Sequence, residues 1–219
     1  MKRVLEIGGF IAGAVLVVFG IVAIVMGVNG QNTVNSSLKQ QQIVGSPDFT
    51  PSAYQAVVAK SGVKNVPIPS CNVAGKQVTD GSAARCFAQY LQSDALMATG
   101  GFYYAQMGIY TAKPGTPKAQ LMPGGGTDNA AMAQTDPKTG QPVQNGPRQI
   151  WVTATALTTA LNTSYMADQL ALFGIVVGVA LVLAGIGFGI LAWAALHRTR
   201  EATSAAAATP QPTAKPAVV

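Results

Sequence analysis

The sequence predicts a mainly α-helical membrane protein. Two transmembrane helices flank a small, mostly helical extracytoplasmic domain that contains a short section of loops and β-turns. Three observations predict this fold class: two long apolar runs, an uneven distribution of basic residues around them, and helix signals in the segment between them. The apolar runs decide the class, because a helix of about 20 apolar residues matches the thickness of a bilayer.

The two apolar runs cover residues 7–28 and 170–196, and neither contains a charged side chain. Each is long enough to cross the ~30 Å hydrocarbon core of a bilayer as a helix. The first exceeds the roughly 7–15 residues of a signal-peptide core, and no small-residue cleavage site follows it. We therefore predict two retained transmembrane helices. The absence of ionisable residues inside them argues against an ion pathway or a proton relay.

Basic residues concentrate before the first run, at Lys2 and Arg3, and after the second, at Arg198 and Arg200, whereas only Lys39 lies near the other ends. The positive-inside rule then predicts a protein of the cell (plasma) membrane with both termini in the cytoplasm. The tail is rich in proline and small residues, which cannot bury enough apolar surface to become ordered. The predicted parts are a cytoplasmic N-terminus at 1–6, an extracytoplasmic domain at 29–169 and a disordered cytoplasmic tail at 197–219.

Small residues recur along both predicted spans at spacings of three, four and seven, which places them on one face of each helix. Small side chains allow helix backbones to approach closely in a bilayer. The faces predict packing of the two helices on each other, or on a helix of another membrane protein or a second copy; the alternative is that glycine is simply frequent in membrane helices. The predicted packing residues are Gly13, Gly20, Gly27, Gly174, Gly178, Gly185 and Gly189.

Both cysteines, Cys71 and Cys86, lie in the predicted extracytoplasmic segment. An even number of cysteines outside the reducing cytoplasm predicts a disulfide bond. It would close a loop of about 15 residues and stabilise the domain by roughly 3 kcal/mol in the chain-entropy model. The alternative is two buried free thiols. A zinc site is disfavoured, because the segment has no histidine to complete the ligand set.

Helix signals are clear in the predicted domain. Thr50 and Pro51 are typical of a helix start and Gly62 of a helix end, and Asp80 or Ser82 is a candidate cap for the helix that carries Cys86. We expect the polar residues after the first span to continue its helix, and residues 147–169 to lead as a helix into the second. The stretch "TDPKTGQPV" predicts a tight turn between short strands.

The densest aromatic cluster follows the Cys86 helix and consists of Phe102, Tyr103, Tyr104 and Tyr110. Such a cluster is more often the core of a small domain, and that is the interpretation we favour. The alternatives are a binding surface and a position at the membrane interface.

The stretch "PGGGTDN", residues 123–129, has three consecutive glycines and could cradle an anion with its backbone N–H groups. It lacks the Gly-Lys-Ser/Thr ending of a phosphate-binding loop, and no strand-to-helix pattern surrounds it. We interpret it as a kinked or flexible connection in which Asp128 and Asn129 bond their own backbone.

The predicted domain contains no histidine and no glutamate, so it offers no Ser-His or Cys-His pair and no cluster of metal ligands. Its basic residues are scattered without interleaved aromatics, which excludes a nucleic-acid surface despite the formal net charge of +6. We therefore predict no catalytic residue, no cofactor and no metal.

Five stretches of the chain are distinctive: "MKRVLEIGGFIAGAVLVVFGIVAIVMGVNGQ", "ARCFAQYLQ", "LMPGGGTDN", "TDPKTGQPV" and "ALTTALNTSYMADQLALFGIVVGVAL". They resemble a family of uncharacterised double-pass membrane proteins in actinobacteria. Some members bear the name of aromatic ring-opening dioxygenases, which implies a metal site. This chain lacks the set of histidines and carboxylates for one, so we do not carry that activity over.

Together these features predict a non-enzymatic integral membrane protein that acts as an accessory or interaction subunit of a cell-envelope complex. The alternative function is an envelope sensor that binds a small molecule or lipid in its extracytoplasmic domain, with the Phe102–Tyr110 aromatics lining the pocket.

Overall fold

The computed structural model describes residues 2–207, with side chains given for residues 7–196. The described chain is mainly helical. The four helices are α1 (Lys2–Gln40), α2 (Pro51–Ser61), α3 (Gly81–Ala98) and α4 (Gly146–Ala207), and three short 3-10 helices lie at Tyr104–Gln106, Lys118–Gln120 and Ala130–Met132.

Two of these helices contain stretches long and apolar enough to span a membrane, Ile7–Gln40 in α1 and Gly146–Leu196 in α4. Both continue beyond the apolar runs as single helices, as the polar extensions predicted. The tail predicted to be disordered from residue 197 is helical as far as Ala207, because α4 continues without interruption. Residues 208–219 of that tail lie outside the described residues.

The chain divides into two compact units: one contains residues up to Asn29 and from Ala171 onward, and the other is Gly30–Leu170. The division falls one residue after each predicted domain boundary. We call the Gly30–Leu170 unit the domain.

In the first unit, α1 and α4 pack as an antiparallel pair along a seam of small residues. A Cβ atom added to Gly13 would lie 2.8 Å from the carbonyl oxygen of Gly185, and one added to Gly20 would lie 2.6 Å from that of Gly178. One added to Gly27 would lie 2.6 Å from the carbonyl oxygen of Ala171. The three contacts recur every seven residues on both helices, which is the repeat that keeps a packed seam aligned. The sequence left open whether the two helices pack against each other or against a helix of another chain; in the structure α1 and α4 pack against each other.

The other predicted packing residues differ in their role. A Cβ atom added to Gly174 would lie 3.7 Å from the carbonyl oxygen of Ala23, an ordinary contact. A Cβ atom added to Gly189 would meet nothing within 4 Å, so close packing does not require glycine at this position. Large apolar side chains such as Phe19 and Leu183, each 65% exposed in the isolated chain, cover the outward faces.

The helix signals of the domain are confirmed. The Thr50 side chain accepts a hydrogen bond from the Ala53 N–H (3.2 Å), and the Asp80 side chain accepts one from the Ala83 N–H (2.8 Å). These bonds satisfy backbone donors that have no partner within the helix. Of the two cap candidates for α3, Asp80 is therefore the cap.

The predicted turn forms, but the short strands beside it do not. Asp136 Oδ1 accepts hydrogen bonds from the Lys138 and Thr139 N–H groups. Thr135 and Pro142 then make a single antiparallel bridge, and among the described residues the β-structure consists of such isolated bridges. Proline has no N–H to extend a ladder, and this limits pairing at Pro142.

The domain core is arranged around α3. This helix contributes Ala84 and Ala88 to a cluster with Leu38 and Leu161. Cys86 and Tyr90 of the same helix belong to a second cluster with Phe49 and Tyr54. The last turns of the helix supply Ala95 and Leu96 to a third cluster with Met107 and Trp151.

The predicted disulfide is present. Cys71 and Cys86 are bonded, with their Cα atoms 5.9 Å apart. The bond fastens the segment before α3 to the second turn of that helix.

We expect Gly20→Leu to destabilise the helix pair by about 1–3 kcal/mol, because the new side chain would collide with the Gly178 carbonyl oxygen and with Val182. The measurement is the free energy of unfolding of the full chain in mixed detergent micelles. Gly187→Leu is the matched control, because a Cβ atom at that position meets nothing within 4 Å. Equal stability of the two variants would contradict the seam.

Candidate functional site

The four aromatic residues singled out from the sequence do not form one cluster. Phe102 is half-buried and packs on the third core cluster, but Tyr103 is 50% exposed and Tyr104 is 44% exposed. The expectation of a core was therefore wrong for these two tyrosines. The reason is the 3-10 turn at Tyr104–Gln106, after which Met107, 1% exposed, occupies the core position.

Tyr103 and Tyr104 are exposed, and they contact two residues of α4, the half-buried Arg148 and the buried Trp151. The Arg148 guanidinium carbon lies 4.1 Å from the centre of the Tyr104 ring, within the range of a cation–π contact. The ring centres of Tyr103 and Trp151 are 5.4 Å apart. We call these four residues the aromatic–arginine surface.

Buried contacts hold this surface in place. The Trp151 side chain is 6% exposed, and its indole N–H donates hydrogen bonds to Thr99 Oγ1 (3.1 Å) and to the Phe102 carbonyl oxygen (2.8 Å). The Tyr103 N–H donates to Gln106 Oε1 (2.8 Å). Arg148 Nε is buried without an acceptor among the described residues, so the contact with Tyr104 positions the guanidinium.

The glycine-rich stretch is a fixed connection, because three of its backbone N–H groups already donate hydrogen bonds within the domain. The N–H groups of Gly124, Gly125 and Thr127 donate to the carbonyl oxygens of Gln106, Met122 and Tyr110 respectively. These three groups are therefore not free to bind an anion.

Two glycines of this stretch are required by their surroundings. Gly126 has a φ of +77°, and a Cβ atom added to it would lie 2.5 Å from Asn145 Nδ2. A Cβ atom added to Gly124 would lie 2.6 Å from Met107 Cγ. Close packing against the domain thus selects glycine at both positions.

The two polar residues after the glycines behave differently. Asn129 bonds its own backbone as expected, because its side-chain oxygen accepts from the Ala131 N–H (3.0 Å). Asp128 does not, since its Oδ1 accepts from the distant Ile109 N–H (2.9 Å). Its carboxylate joins two separate parts of the loop section.

A buried acidic group, which the sequence did not single out, lies where α2 meets α3. The Tyr54 side chain is completely buried, and its hydroxyl donates a 2.7 Å hydrogen bond to Asp94 Oδ1. Asp48 lies close enough for its charge to act on Tyr54, Tyr90 and Asp94, and its Oδ1 is buried without a donor among the described residues.

The environment of this group disfavours negative charge. Burial raises the pKa of Asp94, the charge of Asp48 adds to that shift, and the hydrogen bond from Tyr54 opposes both. Burial also raises the pKa of the Tyr54 phenol, and the hydrogen bond to Asp94 acts in the same direction. Among the side chains that the structure describes, no cation acts on either group. Tyr54 is therefore a hydrogen-bond donor and not a base.

Asp94 also lines an open groove of about 430 Å³ between α3 and α4. The groove walls are largely apolar, with Leu91 on α3 facing Ile150 and Leu157 on α4. None of the four aromatic residues identified from the sequence lines it. Within the described residues, no three histidine, cysteine, aspartate or glutamate side chains lie close enough to hold a metal ion.

We expect Tyr54→Phe to lower the free energy of unfolding by about 1–3 kcal/mol, because it removes the hydroxyl that donates to the half-buried Asp94 carboxylate. Tyr104→Phe is the control, since it removes a hydroxyl from an exposed ring. Denaturation of both variants in the same detergent gives the comparison. A loss that is equal in the two would show that the Tyr54–Asp94 bond does not stabilise the fold.

We also expect the pH dependence of stability to change in Asp94→Asn. Because the pKa of Asp94 is raised in the folded chain, the folded state holds this proton more tightly than the unfolded state does. The contribution of Asp94 to stability is therefore largest below its ordinary pKa of 3.8 and is lost as the pH rises from there through the raised value. The wild-type minus Asp94→Asn difference in unfolding temperature, followed from acidic to neutral pH, should fall with rising pH. A flat or rising difference would contradict the raised pKa.

Comparison of the chain with protein-family models, with curated proteins and with solved structures finds no match. The function is therefore argued from the residues of this chain alone.

Proposed function

We propose that this chain is a non-enzymatic integral membrane protein that acts as an accessory or interaction subunit of a cell-envelope complex. The domain Gly30–Leu170 contacts a partner protein through the aromatic–arginine surface. The observation that carries the proposal is that Tyr103 and Tyr104 are exposed beside Arg148, while the buried Trp151 holds Tyr103 in place.

The composition and rigidity of the surface support this role. Tyrosine, tryptophan and arginine are the residue types enriched where binding energy concentrates in protein interfaces. Exposed aromatic rings supply a large contact area at a small cost in side-chain entropy. Here Trp151 and Gln106 contact Tyr103, and Arg148 contacts Tyr104, before a partner binds, which lowers that cost further.

Two independent observations support an extracytoplasmic domain. The Cys71–Cys86 disulfide is typical of oxidising compartments. The basic residues Lys2, Arg3, Arg198 and Arg200 lie at the other ends of the membrane-spanning stretches, as the positive-inside rule requires for cytoplasmic termini. The proposed arrangement places both termini in the cytoplasm.

The roles of the domain carboxylates support a function without catalysis. Asp80 caps α3, Asp136 forms a turn, and Asp128 joins two loops, so these three carboxylates are occupied in structure. Asp94 is held by Tyr54, whose raised pKa keeps its phenol protonated. The domain has no histidine to act as a base at neutral pH.

A second candidate, a small-molecule or lipid-binding sensor, is favoured by the α3–α4 groove, although none of Phe102, Tyr103, Tyr104 and Tyr110 lines it. The two roles use different residues of α4 and are compatible.

We expect a tagged full-length chain, purified from its own membranes in a mild detergent, to retain a partner protein in stoichiometric amount. The double variant Tyr103→Ala/Tyr104→Ala should lose that partner at least about tenfold, because truncating exposed aromatic anchors removes the contacts that dominate interface affinity. Quantitative mass spectrometry of the eluate is the measurement.

Ile68→Ala is the matched control, because Ile68 is an exposed apolar residue of the same domain, 42% accessible, outside the aromatic–arginine surface. Retention of the partner by the double variant would exclude this surface. Purification of the chain alone would exclude the accessory-subunit role.

A further inference from the structure

The α3–α4 groove combines apolar walls with one carboxylate. Leu91 and Ala98 of α3 face Ile150, Ala154 and Leu157 of α4 across it. Asp94 lies on the α3 wall, one turn from both Leu91 and Ala98. The volume of the groove, about 430 Å³, lies within the range of small-molecule sites and is too small for a whole helix.

The Asp94 carboxylate is oriented but not neutralised. Tyr54 occupies Oδ1 with its 2.7 Å hydrogen bond, and Oδ2 accepts no hydrogen bond from the part of the chain that the structure describes. Among the described residues, the charge that acts on Asp94 is that of a second carboxylate, Asp48. A carboxylate beside apolar walls attracts a cation more strongly than one in water does.

The geometry points to a binding site for a small amphiphilic cation in the α3–α4 groove. The apolar body of this ligand lies against Leu91, Ile150 and Leu157, and its ammonium or guanidinium group pairs with Asp94. Apolar burial and a charge-assisted hydrogen bond act together in such a complex. A cation would also stabilise the ionised carboxylate that burial disfavours.

This site shares no residue with the aromatic–arginine surface. Two of its residues, Ala95 and Ala154, pack in the core cluster that contains Trp151, so the two sites are neighbours. Each is therefore tested through residues that belong to it alone, Asp94 for the groove and Tyr103 and Tyr104 for the surface.

The test uses the full-length chain in lipid nanodiscs, so that no detergent competes for the groove. Isothermal titration calorimetry with n-hexylamine, n-hexanol and hexanoate compares three ligands with the same apolar body, after subtraction of the heats from empty nanodiscs. We expect n-hexylamine to bind at least about ten times more tightly than n-hexanol, and we expect hexanoate not to bind.

Three variants complete the design. Asp94→Asn should weaken n-hexylamine binding about tenfold without changing n-hexanol, while its remaining side-chain oxygen still accepts from Tyr54. Ala98→Phe should remove binding of both ligands by filling the groove from the exposed end of α3. Asp136→Asn, in the distant turn, should change neither.

Equal affinity for the amine and the alcohol would overturn the proposal. So would undiminished amine binding in Asp94→Asn, or no n-hexylamine heat above that of empty nanodiscs. If Asp94→Asn unfolds more readily, Ala98→Phe still decides the question, because binding that survives it cannot be in the groove.

Discussion

The domain depends on the burial of α3 among α1, α2 and α4. This helix supplies residues to all three core clusters, so almost every turn of it is removed from water. Each of its buried polar groups must then find a partner inside the protein, because an unpaired buried polar group costs about 1–3 kcal/mol. Asp80 caps its first turn, the Ser93 hydroxyl donates to the Pro67 carbonyl oxygen, and Asp94 accepts from Tyr54. The acidic group and the groove beside it follow from this arrangement, since a carboxylate on a packed helix is both held and partly desolvated.

Features with local causes could be predicted from the sequence, and features that depend on tertiary contacts could not. The caps at Thr50 and Asp80 and the Cys71–Cys86 bond rest on residue type and short spacing. Tyr54 and Asp94 are 40 residues apart on different helices, and no local pattern indicates that they meet. The exposure of Tyr103 and Tyr104 was mispredicted for the same reason, because composition favours a core and only the 3-10 turn before Met107 turns them outward.

Helices α1 and α4 pack through small residues in the first unit and through large apolar residues in the domain. The difference reflects the surroundings of each unit, lipid in one case and water in the other. In the membrane-spanning part, where lipid is as apolar as leucine, association relies on close backbone contact, and α1 and α4 meet at Gly20 and Gly178. In the domain, where burial removes apolar surface from water, they contribute Leu38 and Leu161 to a common cluster. The change from glycine to leucine along each helix thus marks the point where the driving force changes from close backbone contact to the burial of apolar surface.

The seven-residue repeat of the seam makes its register degenerate. If α1 were displaced by one repeat, Gly13, Gly20 and Gly27 would face Ala192, Gly185 and Gly178, and every pair would still be small against small. Smooth, uniform seams of this kind hold helices together without specifying which residues meet, and a distinctive residue elsewhere must choose the register. On the same two helices, Leu38 and Leu161 of the domain are large residues that do not follow the seven-residue repeat, and they belong to one core cluster.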